Sequence, residues 1–182
     1  MTDLLDKDEQ RFLLGLARQA IAHYLETGKP PKIKKPENRK LLENRGAFVT
    51  LKVDGLLRGC IGYPLPVKAL HETIMEMAVA AATQDYRFEP LTLEELPRTK
   101  IEISVLSLPE PVQDASEIEV GRHGIIITKG FARGLLLPQV PVEYGWDRET
   151  FLRHGYLKAG LDEDDWKKEA RIEVFSAQVF SE

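Results

Sequence analysis

The segment Leu57 to Gly62 combines residues that carry chemistry with residues that a strand does not favour. It reads Leu-Arg-Gly-Cys-Ile-Gly and holds the only cysteine of the 182-residue chain. Glycines lower sheet stability, so they indicate a bulge or a close approach of backbone or ligand. Cys60 is a candidate nucleophile if Arg58, or the amides that open the following helix, stabilise its thiolate. The alternative is that Cys60 packs as a small hydrophobe.

Two further segments hold candidate site residues. His123, in the turn Gly121 to Gly124, is the best placed general acid or base, although turn histidines are mostly just solvated. Arg87 precedes Phe88 and is a candidate anion clamp, or else it packs its stem over a helix end. No histidine pair has metal-ligand spacing, and nucleotide-binding glycine patterns are absent, so we expect neither a metal nor a cofactor.

Composition restricts the class of protein. The net charge of −4 and a pI near 5.7 argue against a dominant footprint on nucleic-acid phosphates. The basic run Lys29 to Lys40 is interpreted as a solvated loop between two helices. One cysteine excludes an intrachain disulfide and favours a reducing compartment with a free thiol. Since no apolar run has the length of a signal core or a membrane span, we expect a cytoplasmic protein without membrane association.

Hydrophobic periodicity predicts the elements that must position these residues. Asp6 and Glu9 form a capping-box pattern before a helix that ends at Gly28. The later predictions are a short helix over Glu37 to Asn44, strands over Ala47 to Val53 and Leu56 to Ile61, a helix from Pro66 to Thr83, a strand over Lys100 to Ser107, a strand pair over Gly124 to Thr128 and Gly134 to Leu137, a helix from Arg148 to Ala159, a turn over Asp162 to Lys167, and a strand over Arg171 to Phe180.

The dipeptide Asp54-Gly55 is a strong hairpin signal and implies a register for the first two strands. The expected pairs are Val53 with Leu56, Leu51 with Arg58, and Val49 with Cys60. Arg58 and Cys60 would then share a face with aliphatic side chains. A core-facing arginine without a partner is costly, so this face opens into a cleft or the hairpin contains a bulge.

Tight turns and alternating strands predict the α+β class, with an antiparallel sheet flanked by helices. We expect residues 1–182 to form a single domain. The proline-rich and acidic segment around residues 108–123 is expected to help build a smaller lobe that packs on a larger one.

These motifs, in this order, resemble the AMMECR-type domain, whose prokaryotic members are called protein A of AmmeMemoRadiSam systems. The motifs are Ala47 to Leu51, Leu57 to Gly62, Asp85 to Phe88 with Pro90-Leu91, Ile101 to Leu106, Gly121 to Gly124, Gly134 to Val140, and Lys158 to Leu161. The resemblance covers nearly the whole chain and implies an α+β domain.

The resemblance also implies a site and partners. Seven motif positions would gather around a cleft: Arg58, Gly59, Cys60, Gly62, Arg87, His123 and Gln139. The implied partners are a Memo-like protein and a radical S-adenosylmethionine enzyme. Two positions depart from the usual pattern of the resembled family, because Tyr86 stands where many members have proline and Tyr156 stands where many have a second cysteine. The second departure argues against a two-thiol mechanism.

Three functions stay open at this point. The leading hypothesis is a substrate-binding or catalytic component of a small-molecule or nucleic-acid modification pathway. In it Arg58 binds an anionic or carbonyl group, Cys60 is a nucleophile or a packing element, and His123 is the acid-base partner. The alternatives are a non-enzymatic protein-interaction module and an RNA-binding protein.

Overall fold

The structure is a computed structural model that describes residues 4–32, 34–162 and 170–182. The chain folds into these helices and strands: α1 (Lys7–Thr27), α2 (Arg39–Leu42), β1 (Ala47–Val53), β2 (Leu56–Tyr63), α3 (Leu70–Thr83), β3 (Thr99–Leu106), β4 (Glu110–Pro111), β5 (Gly124–Lys129), β6 (Ala132–Leu136), α4 (Gln139–Glu143), α5 (Arg148–Lys158), β7 (Arg171–Phe175) and β8 (Ala177–Ser181). Antiparallel sheets with separate helices confirm the predicted α+β class. The predicted turn over Asp162 to Lys167 falls almost entirely outside the described residues.

Two compact units divide the chain. One consists of the sequence up to Leu106 together with Gln178–Glu182, and the other of Ser107–Ala177. The second unit therefore extends far beyond the segment around residues 108–123 that suggested a smaller lobe.

The first unit is built on a four-stranded sheet with the strand order β2-β1-β3-β8. Strand β1 pairs antiparallel with both β2 and β3. Its residues Ala47, Val49 and Leu51 are fully buried and join the side chains of α1 and α3 in one core. The capping box predicted at Asp6 and Glu9 is present at the start of α1.

Strand β8 reaches the first sheet from the far end of the chain. The Glu182 carboxylate accepts hydrogen bonds from Arg18 Nε at 2.7 Å and from the Ile101 N–H at 3.1 Å. The Gln178 amide exchanges two hydrogen bonds with the backbone of Leu5. The strand expected over Arg171 to Phe180 is therefore interrupted at Ser176, with β7 in one sheet and β8 in the other.

Helix α3 begins at Leu70 rather than at the predicted Pro66. The reason is that the preceding backbone is already paired. The Arg45 N–H donates to the Lys68 carbonyl and the Leu70 N–H donates to the Glu43 carbonyl, which holds the segment extended. The periodicity correctly predicted the helix, but the backbone groups of its expected first turn form hydrogen bonds with residues 43–45 instead.

The second unit holds a sheet with the strand order β4-β7-β5-β6, on which α5 packs. Phe151 and Tyr156 of α5 are fully buried against Ile125 and Ile127 of β5. Tyr156 is thus a core aromatic ring of the second unit. No helix among the described residues has the length and hydropathy needed to cross a bilayer.

Strand β2 and helix α3 approach each other closely at Gly59. A Cβ atom placed on Gly59 would lie 2.0 Å from the backbone oxygen of Ala81. Because both groups belong to backbone in regular elements, neither can move aside without displacing the strand or the helix. Gly59 therefore sets the distance between the sheet and α3.

We expect Gly59→Ala to lower the free energy of unfolding by about 3 kcal/mol, the upper part of the range for overpacked cores. Gly15→Ala is the matched control, because Gly15 lies on the exposed side of α1 and a Cβ there meets no atom within 4 Å. It should raise stability by roughly 0.5–1 kcal/mol through helix propensity. Urea unfolding of both variants tests this, and equal stability of Gly59→Ala and the parent protein would contradict the close approach.

Candidate functional site

The β1–β2 hairpin contains a bulge that changes the expected register. The turn at Asp54-Gly55 is as predicted, with positive φ at both residues (51° and 82°). Beyond Lys52 and Leu57 the pairing shifts by one residue. The expected pairs of Leu51 with Arg58 and of Val49 with Cys60 are wrong: Leu51 pairs with Gly59, and Thr50 with Cys60.

The bulge redistributes the residues of the segment between the two faces of the sheet. Gly59 takes the core-facing position opposite Leu51, where only a glycine fits against Ala81. Cys60 shares the outer face with Thr50, and the Thr50 hydroxyl donates to Sγ at 3.1 Å. Gly62 has its own packing reason, since a Cβ there would lie 2.4 Å from the Phe48 ring. Both glycines are explained by neighbouring atoms of the chain.

Arg58 is fully engaged by the loop that follows α3. Its guanidinium forms a two-pronged ion pair with Glu95, at 2.9 Å from Nε and 3.0 Å from Nη2. It also donates to the carbonyls of Glu89 at 2.5 Å and Pro90 at 3.3 Å. The hydrogen bond from Arg58 holds the pKa of Glu95 below its ordinary value, aided by the Thr92 N–H. Arg58 therefore fixes residues 89–95 to the start of β2.

Asp85 connects the same loop to Cys60. Its carboxylate is buried and accepts the Cys60 N–H at 2.8 Å. Arg87 donates to it through Nε at 2.9 Å and through Nη2 at 2.7 Å. These hydrogen bonds, with that from Arg87 the largest contribution, lower the pKa of Asp85 to about 2. The aspartate is thus charged at neutral pH and anchors both the strand and the arginine.

The pair of Asp85 and Arg87 covers a sheet edge. Strand β2 is the outermost strand of its sheet, so alternate backbone groups lack a neighbouring strand. At Cys60 the N–H binds Asp85, and the carbonyl accepts from Arg87 Nη2 at 3.4 Å. A carboxylate and a guanidinium therefore replace the hydrogen bonds of a further strand at this one residue.

The cluster of Thr50, Cys60, Asp85 and Arg87 is the candidate site, and its charge lies beside the thiol. Cys60 is half-buried, and the Arg87 side chain is 45% exposed with its guanidinium 5.4 Å from the centre of the Phe88 ring. The pKa of Arg87 is raised, chiefly by its hydrogen bond to Asp85 and further by the charge of that carboxylate. This arrangement suits recognition of an anion next to a thiol.

His123 and Gln139 belong to the second unit. The Nδ1 atom of His123 accepts the Glu119 N–H at 3.2 Å, so the neutral ring carries its proton on Nε2. Gln139 is exposed at the start of α4. The residues that the structure brings together in the first unit are Arg58, Gly59, Cys60, Gly62 and Arg87.

Asp85, Glu95 and Thr50 were not among the residues expected from the sequence to act in this region. Asp85 was visible as a carboxylate two residues before an arginine in a helix-breaking segment. Glu95 was visible only as part of a capping pattern with Thr92, which is present in the structure. Thr50 could not be found, because the bulge decides which residue of β1 faces Cys60.

Because the pKa of Asp85 is about 2 in the folded chain, against 3.8 ordinarily, its ionised form favours folding. The contribution is on the order of 2 kcal/mol at neutral pH, and it is lost as pH falls from about 4 towards 2. We expect Asp85→Asn to lower the free energy of unfolding by about this amount at pH 7. The difference from the parent protein should shrink below pH 4 in denaturant titrations at several pH values.

Asp54→Asn is the control for this prediction. Asp54 forms an ion pair with Arg98 at 2.7 Å, but both side chains are mostly exposed. Asparagine also tolerates the positive φ at this turn position. This variant should change stability by less than about 1 kcal/mol. A difference between Asp85→Asn and the parent protein that does not change with pH would contradict the role given to the carboxylate.

Comparison with known proteins yields one family. The AMMECR1 family model matches residues 14–180. A protein of Methanopyrus kandleri is 50% identical over 192 residues, which cover 100% of this chain and 92% of the relative. A protein of Methanothermobacter thermautotrophicus is 45% identical over 185 residues, covering 98% and 96% of the two chains.

A solved structure agrees with the fold. The crystal structure of an uncharacterized protein from Pyrococcus horikoshii is similar with a TM-score of 0.78 and 43% sequence identity. The similarity covers 94% of this chain and 90% of that chain. With the family model matching nearly the whole sequence, the chain belongs to the AMMECR1 family.

Proposed function

We propose that the cluster around Cys60 binds an anionic group of a substrate through Arg87. One observation carries this proposal: Asp85 fixes Nε and Nη2 of Arg87, while Nη1 has no hydrogen-bond partner among the described residues. The guanidinium is thus oriented before any ligand arrives, and its remaining donors are available on a half-exposed side chain. An arginine held in this way suits a carboxylate or a phosphate.

In this proposal Cys60 is the reactive or contact group beside the bound anion. The thiolate is the nucleophilic form of a cysteine, and Arg87 binds the backbone carbonyl of this one. The Thr50 hydroxyl supports the sulfur from the opposite strand. Arg58 has a supporting part, because its guanidinium already has Glu95 and two carbonyls as partners. Gly59 and Gly62 shape the strand.

We further propose that the chain acts as a substrate-binding or catalytic component of a small-molecule or nucleic-acid modification pathway. His123 is its acid-base group and Gln139 is a further substrate contact. A Memo-like protein and a radical S-adenosylmethionine enzyme are its proposed partners, and the cytoplasm is its proposed location. Support comes from the family resemblance, and for the location also from the use of a single cysteine.

The single thiol allows a direct test with two alkylating reagents that differ in charge. Iodoacetate carries a carboxylate and iodoacetamide is neutral, and each forms an S–C bond with loss of iodide. If Arg87 binds anions next to Cys60, the ratio of the iodoacetate rate to the iodoacetamide rate should be higher for Cys60 than for the thiol of glutathione. We expect roughly a fivefold excess, the rate equivalent of about 1 kcal/mol of charge attraction. Mass spectrometry of the intact protein measures both rates.

Variants assign the effect to one arginine. Arg87→Lys retains the charge but loses the fork that binds Asp85, so the rate ratio should fall towards that of glutathione. Arg98→Lys is the matched control on an exposed arginine that pairs with Asp54, and it should leave the ratio unchanged. An equal ratio in Arg87→Lys and the parent protein would refute anion binding at Arg87. A folded protein in which neither reagent reaches Cys60 would also refute it.

A further inference from the structure

A groove of about 690 Å³ lies in the first unit, and the residues that directly follow Cys60 in the chain form part of its lining. One wall is the end of β2 at Ile61, Gly62 and Tyr63. The other wall is a stripe of α3 that includes Glu72, Met75 and Val79. Neither Arg58 nor Cys60 lines the groove, so it is a feature separate from the candidate site.

The groove exposes an unpaired section of the sheet edge. The Cys60 N–H and carbonyl point away from β1, since both bind the pair of Asp85 and Arg87. Backbone direction alternates along a strand, so the N–H and carbonyl of Gly62 point the same way. No described residue forms a hydrogen bond with either group. Gly62 has no side chain, and it therefore lines the groove through its backbone alone.

The charged side chains of the groove sum to one negative charge. Glu76 accepts hydrogen bonds from the Tyr63 hydroxyl at 3.0 Å and from Lys68 at 2.6 Å, so the charges of Glu76 and Lys68 are paired. Glu72 is exposed one helical turn earlier and forms no ion pair within the described residues, although its charge also attracts Lys68. Two carboxylates and one lysine leave the groove with a net negative charge. The groove thus offers a backbone donor, a backbone acceptor, apolar α3 side chains and one negative charge.

We propose that this groove binds a short extended peptide segment that carries a lysine or an arginine. The Gly62 N–H donates to a peptide carbonyl, and the Gly62 carbonyl accepts a peptide N–H, as when a strand is added to a sheet edge. Apolar peptide side chains lie against Met75 and Val79, and the basic side chain reaches Glu72. The proposal does not depend on any reaction at Cys60.

The site is short, because the neighbouring edge positions are not available. Cys60 is covered by Asp85 and Arg87, and Pro64 has no N–H to donate. Among the described residues that line this groove, Gly62 alone offers a pair of free backbone groups on the edge of β2. The affinity therefore depends on the side chains as much as on the backbone, and a direct measurement at Gly62 is the suitable test.

The test is a nuclear magnetic resonance titration of the ¹⁵N-labelled full chain with a blocked pentapeptide of alternating valine and lysine. We expect saturable shifts of the Gly62 amide. A peptide with glutamate in place of lysine should bind at least fivefold more weakly. A peptide methylated on its central backbone nitrogen should lose the Gly62 shift, because that nitrogen can no longer donate.

Reversing single charges on the protein distinguishes binding in this groove from nonspecific attraction between a basic peptide and an acidic protein. Glu72→Lys should weaken the lysine peptide about fivefold or more, whereas Glu143→Lys, on the exposed face of α4, should leave its affinity unchanged. Spectra of both variants verify their fold. Equal weakening by the two substitutions, an unchanged affinity of the methylated peptide, or no shift at Gly62 would overturn the proposal.

Discussion

The carboxylate of Asp85 is the interaction on which the candidate site depends. It accepts hydrogen bonds from three groups: the Cys60 N–H of the edge strand, and the backbone N–H and the guanidinium of Arg87 in the loop after α3. Burying a lone carboxylate is unfavourable, and three kinds of donor compensate for that burial here. The same atoms that stabilise the sheet edge therefore also orient the cation beside the thiol.

Within the segment Leu57 to Gly62, most residues are explained by packing or by structural hydrogen bonds. Gly59 allows the approach of Ala81 and Gly62 allows the ring of Phe48 to lie across the strand, while Arg58 ties down a loop. These constraints account for most of the unusual residue choices without any ligand. Packing does not explain Arg87, whose guanidinium keeps unused hydrogen-bond donors near the only cysteine of the chain.

Local sequence predicted the elements well because their signals are local. The capping pattern at Asp6, the hairpin turn at Asp54-Gly55 and the alternation in β3 each depend on a few adjacent residues. The register of β2 could not be predicted, because the bulge puts Gly59 opposite Leu51 and against the backbone oxygen of Ala81, which lies 22 positions away along the chain. The pairing of Arg58 with Glu95 is equally remote in sequence, so local patterns assigned that arginine to a ligand instead.

The return of β8 to the first sheet has a consequence for how the chain folds as it is synthesised. The first unit is interrupted by the whole of the second, and its last strand contributes the partner of Arg18 and the cap for the Ile101 N–H. Every strand of the second sheet lies within residues 107–177, so that sheet forms from one contiguous stretch of chain. One edge of β3 stays unpaired until Ala177–Ser181 docks on it, so the first sheet needs a segment that is synthesised after the whole second unit.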